Sequence, residues 1–183
     1  LATEAGIAVM AQGGNAFDAA VAVSAVLAVV APYHAALGGG GFWLLHDAKT
    51  NRDRVIDGRE IAPLKSHPRM FLDQSGHVRS GLSLNGGLAA AIPGEPAALV
   101  YLAKHFGVLP LSQSLRPAIR LAREGFIVDQ AFYDFIMMSD RLSQLNQYPG
   151  SRAILTKQGK PYQVGERLVQ RDLANTLDLL ARQ

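Results

Sequence analysis

The chain has 183 residues, 49% of them hydrophobic and 18% charged, a balance that suits about one folded domain with a sizeable core and excludes intrinsic disorder. Its 18 basic and 15 acidic residues give a formal net charge of +3; the basic residues are scattered singly with few aromatics among them, so no nucleic-acid surface is indicated. Cysteine is absent, which rules out disulfides, thiolate metal sites and a cysteine nucleophile.

Thr3 and Glu4 cap and charge the start of a predicted helix with Ile7, Met10 and Ala11 on one face, stopped by Gly13-Gly14. Asn15 caps a second helix, and Asp18 favours its first turn electrostatically. The run that follows, Ala19 to Ala31, is apolar on every side. Such a helix is either fully buried or membrane-spanning, and this one falls well short of the roughly twenty residues a bilayer needs. It is therefore expected in the core, with small alanines that let it lie flush against a sheet.

After Pro32 come four glycines, Gly38 to Gly41, then a predicted hairpin with strands Phe42 to His46 and Arg54 to Asp57 around a polar turn. Pro68 is expected to begin a short helix through Phe71, and Asp73-Gln74-Ser75-Gly76 a turn. Gly86 to Ile92 is expected to form another core strand ending at Pro93-Gly94, with a helix behind it that has Pro96 in its first turn and Gly107 past its end. Ser112 opens a helical region kinked or restarted at Pro117 and ended by Gly125; Asp129 caps one carrying Phe132, Phe135, Ile136 and Leu142. Ala153 to Leu155 and Tyr162 to Val164 are expected as a small hairpin, and about Gln170 to Ala181 as the last helix. Layers of α+β type follow from this order, with helices stacked on an antiparallel or mixed sheet. A start at Leu1 without methionine and an end without a helix stop are expected of an internal piece of a longer protein.

Little here can do chemistry unaided. The glycines follow a helix and open a strand, the reverse of a dinucleotide loop, and they lack the lysine and hydroxyl of a P-loop. No serine lies in a nucleophile elbow, and the five histidines, His34, His46, His67, His77 and His105, fall at no metal-ligand spacing. Neither a metal nor a cofactor is expected. Arg59, in Asp57-Gly58-Arg59-Glu60, remains the candidate. A guanidinium keeps its charge at any working pH, and its fork of donors matches a carboxylate. Two readings are open on pattern alone: an anion-binding arginine presented by the hairpin, or a structural ion pair with Asp57 or Glu60.

Six segments together go further. Ala2-Thr3-Glu4-Ala5-Gly6, Gly13 to Ala20, Gly38 to Phe42, Asp57 to Glu60 with Ala62-Pro63, Pro93-Gly94, and Pro117 to Phe126 resemble, in order and spacing, the large subunit of γ-glutamyltranspeptidases, and Asp172 to Leu177 also fits. Ala35-Ala36-Leu37 stands where the family commonly has a Ser-Gly pair. The resemblance implies an N-terminal nucleophile hydrolase fold, an αββα sandwich of which residues 1–183 would be an incomplete part of a single domain. It implies a self-cleaving precursor whose small subunit begins with a catalytic threonine that uses its own α-amino group as base. That threonine attacks a γ-glutamyl amide such as glutathione, and water or an amino acid takes the acyl group. The expected partners are thus a γ-glutamyl small molecule, an acceptor and the small subunit, in a periplasmic or secreted setting. No residue of this chain is expected to be catalytic, and the chain alone is expected to be inactive; Arg59 matches the family arginine that holds the donor's α-carboxylate. The alternatives are a cephalosporin or glutaryl acylase of the same fold and a non-catalytic helical binding fragment.

Overall fold

The structure, a computed structural model, describes residues 1–183. The chain forms two compact units, Leu1–Ala36 with Leu99–Gln183, and Leu37–Ala98.

The first unit is built around a buried helix. Helices α1 (Ala2–Ala11) and α2 (Ala16–Val30) are joined by the Gly13-Gly14 stop. Asn15 accepts the backbone N–H groups of Phe17 and Asp18 while Asp18 accepts that of Asn15, a closed capping box. Val21, Ala22, Ala25, Val26 and Val29 on α2 are fully buried, each valine being worth about 1.5–3 kcal/mol on that account. The covering layer comes from far along the chain. Helix α4 (Leu111–Glu124) packs on α2 and α8 (Arg171–Leu180) packs on α4, while α3 (Glu95–Phe106) buries its own Leu99 and Leu102. Gln170, buried before α8, donates from Nε2 to Val29 O at 2.8 Å. No helix is long and apolar enough to cross a membrane.

Several expectations are corrected here. Helix α4 is not restarted at Pro117 but runs through it, because Ser114, Leu115, Ala118, Ile119 and Ala122 bury one continuous face and that packing outweighs the single hydrogen bond proline removes. The helix capped by Asp129 is two helices, α5 (Gln130–Met137) and α6 (Arg141–Gln147), separated at Ser139, whose φ of 54° is left-handed. Arg141 closes the break, donating to Phe135 O at 3.1 Å with its guanidinium 3.5 Å above the Phe135 ring. Ala153 to Leu155 belongs not to a strand but to α7 (Pro149–Leu155), started by the proline at its first turn. What remains of the expected hairpin is a tight turn in which Lys157 and Lys160 exchange backbone hydrogen bonds, with Gln158 and Gly159 both at positive φ. An unforeseen pairing joins β3 (Phe126–Ile127) to β4 (Arg167–Leu168), antiparallel.

The second unit holds the hairpin of β1 (Gly41–Asp47) and β2 (Arg52–Gly58), antiparallel with Leu44 opposite Val55 and Gly41 opposite Gly58. Alternation puts Leu45 inside, while Phe42 and Leu44, 60% and 77% exposed, share an uncovered face with Val55. The core strand expected at Gly86 to Ile92 is absent. Gly87–Ala89 makes one 3-10 turn and only Ile92 pairs, exchanging backbone hydrogen bonds with Ile61. Glycines and alanines offer a strand too little side chain to bury against the entropy of extending them. The helix expected after Pro68 is likewise a series of turns, including the predicted one at Asp73–Gly76.

Candidate functional site

Arg59 is the first residue past β2, and its position is fixed by the backbone. Its N–H donates to Asp57 Oδ1 at 3.0 Å, so the Asp57 carboxylate turns back on the chain that follows it. Two other segments close on this turn. A Cβ at Gly40 would overlap Gly58 O and lie 3.0 Å from both Arg59 Cα and Glu60 N; one at Gly94 would overlap Gly58 O and lie 2.6 Å from Arg59 O. Glycine is required at both places because backbone touches backbone. Hydrogen bonds complete the corner: the N–H groups of Gly94 and Glu95 both donate to Gly39 O at 3.1 Å. The glycine run, the Asp57–Glu60 turn and the Pro93-Gly94-Glu95 bend thus form one knot of main chain with Arg59 at its surface.

The Arg59 side chain is exposed. The structural alternative, an ion pair with Asp57 or Glu60, is not formed; ion pairs join Leu1 to Glu4, His46 to Asp53, His77 to Asp73, Arg123 to Asp178 and Lys157 to Glu166. A guanidinium held on a rigid base and facing solvent can accept a carboxylate in fork geometry without first giving up a partner. The histidines stay apart, and no three metal-ligating side chains converge.

Sequence reasoning passed over Glu95. It opens α3 and is buried, and burial first, then the nearby charge of Glu60, pushes its carboxyl up to about 7. The signal was a charged residue between Gly94 and Pro96, but a glutamate in a first helical turn is ordinary.

The family model for gamma-glutamyltranspeptidase matches residues 2–183. A glutathione hydrolase proenzyme from Pseudomonas sp. (strain A14) is 41% identical over 181 residues, covering 99% of this chain and 31% of that protein. The crystal structure of the Helicobacter pylori gamma-glutamyltranspeptidase superposes with a TM-score of 0.94 at 40% identity, over 99% of this chain and 51% of that one. An acylase proenzyme, ACY 1 from Pseudomonas sp. (strain SE83), is 37% identical over 99% of this chain and 33% of its own length. The chain therefore spans about a third of the length of the curated relatives it matches.

Proposed function

The chain belongs to the γ-glutamyltranspeptidase family and carries part of the N-terminal nucleophile hydrolase fold, and from that premise we propose that the protein containing it is a glutathione hydrolase that cleaves γ-glutamyl amides and passes the acyl group to water or an amino acid. In this reading the whole chain is part of a single domain. The nucleophile is a threonine outside it, exposed at the start of a small subunit when the precursor cleaves itself, with its own α-amino group as base. A periplasmic or secreted location belongs to the same proposal.

The observation that carries the reading is the free guanidinium of Arg59 on its main-chain knot. Paired with the donor's α-carboxylate, it fixes one end of the glutamyl chain and so places the γ-carbonyl at a set distance. Positioning of this kind converts binding energy into rate. The test is turnover by the full-length protein of two donors, one with and one without the α-carboxylate. Arg59→Ala is expected to lose activity selectively on the first, and equal losses on both would remove Arg59 from the binding site.

The acylase relative supports a second reading, in which the same scaffold takes a different acyl group. Faster turnover of acyl amides without an amino-acid head would favour it.

A further inference from the structure

Within the first unit, helices α5, α6 and α7 and the residues that follow α2 surround a partly enclosed cavity of about 190 Å³. Its walls are apolar. Tyr33, Phe135, Ile136, Leu145 and Leu155 line it, and the single charged group among the lining residues is Arg141. Two contacts fix that side of the cavity: the Tyr33 ring stacks on Phe135 with centroids 4.2 Å apart, and the Arg141 guanidinium lies 3.5 Å from the Phe135 ring centre. A cavity of about 150 Å³ with walls of this kind takes a benzene ring, so the space suits one aromatic ring and is too small for a long acyl chain.

Arg141 is the anomaly. Half-buried, it joins no ion pair, and the acids near it in sequence are engaged elsewhere: Asp129 accepts the Phe132 N–H, Asp134 accepts from Gln130 Nε2 and Asp140 from Gln144 Nε2. Only Nη1 is used, donating to Phe135 O and reaching Met138 Sδ. Nε and Nη2 are left, and together they form one edge of the guanidinium, spaced to hold both oxygens of a carboxylate. A partly desolvated cation beside an apolar hollow is stabilised by an anion that brings its own apolar body. We propose that this cavity is a binding site for a small aryl carboxylate: the ring enters among Tyr33, Ile136, Leu145 and Leu155, and the carboxylate takes the open Nε–Nη2 edge of Arg141.

The test is calorimetric titration of the full-length protein with phenylacetate. One saturable site per chain is expected, with acetate, which has no ring, and phenethylamine, which has the wrong charge, each weaker by about tenfold or more. Arg141→Gln should weaken phenylacetate by about tenfold or more. Leu145→Trp, which fills the cavity and leaves Arg141 in place, should do the same. Because Arg59 is itself expected to take a carboxylate, Arg59→Ala is the control and should keep the wild-type affinity. Loss of binding in Arg59→Ala would put phenylacetate on Arg59 and overturn the proposal. Unchanged affinity in Arg141→Gln or in Leu145→Trp would overturn it too, as would the absence of saturable binding to wild type below about 10 mM, the weakest affinity expected of a ligand this small. None of these readings depends on γ-glutamyl turnover: a protein that cleaves its donor and ignores phenylacetate lacks this site alone.

Discussion

The carboxylate of Asp18 accepts the backbone N–H of Val108 at 3.0 Å, across 90 positions of sequence. It also holds Asn15 N at 2.9 Å and Leu109 N at 3.4 Å while fully buried. One side chain thus caps α2 and fastens the loop between α3 and α4. Asp18→Ala leaves these N–H groups buried and unanswered, for which about 2–4 kcal/mol is expected. Asp18→Asn, whose carbonyl still accepts, should cost less. Urea melts of the two variants give the comparison, and equal stabilities would show that the acceptor oxygen kept by asparagine contributes nothing.

The main-chain knot predicts opposite outcomes for two glycines that look equivalent in sequence. A Cβ at Gly40 meets Gly58 O, Arg59 Cα and Glu60 N, whereas one at Gly38 meets nothing within 4 Å. Gly40→Ala should therefore raise KM for a γ-glutamyl donor and lower the melting temperature, and Gly38→Ala should do neither. Matching effects in both would mean that the turn bearing Arg59 yields freely.

At Arg59, truncation to alanine removes a charge-assisted pair worth about 1.5–3 kcal/mol, which is roughly a ten- to hundredfold loss of kcat/KM on a carboxylate-bearing donor. Arg59→Lys should recover only part of that loss, since lysine keeps the charge without the fork. Full recovery by lysine would exclude a bidentate contact. The 183-residue chain alone should turn over no γ-glutamyl anilide, because the proposed nucleophile lies outside it.

Glu95 also sets a direction for stability against pH. Its folded value of about 7 lies above the ordinary 4.5, so between those values the native state keeps a proton that the unfolded chain has released. Stability consequently falls as pH rises from about 4.5 to about 7 and levels off above it. Glu95→Gln should abolish that fall and be the more stable protein at pH 8. Parallel curves of melting temperature against pH for the two proteins would contradict the buried acid.

What could be read from sequence was whatever is decided by near neighbours. The Asn15–Asp18 cap, the apolar run behind it and the hairpin declared themselves through residues within a turn of one another, and the boundaries of α2, β1 and β2 agree closely. Arg59 stood out because its permanent charge and fork of donors match a carboxylate and it stands at the end of a predicted strand. The reach of Asp18 to Val108, the pairing of Phe126 with Leu168 and the burial of Glu95 were not legible, since each depends on a partner from a distant stretch. The break at Ser139 was hidden for a different reason: Phe132, Phe135, Ile136 and Leu142 keep helical spacing across it, and apolar periodicity does not register a single residue turning left-handed.

The bond from Gln170 to Val29 bridges 141 positions, and it bears on how the protein is made. Chains emerge from the ribosome at about 5–20 residues per second, so α2 is synthesised roughly seven to thirty seconds before the residue that closes over its end. During that interval the nascent chain displays its most apolar helix without the α4 layer and its Gln170 latch. A helix in that state is a natural client for a holding chaperone, and the first unit can complete its core only once synthesis has passed Gln170.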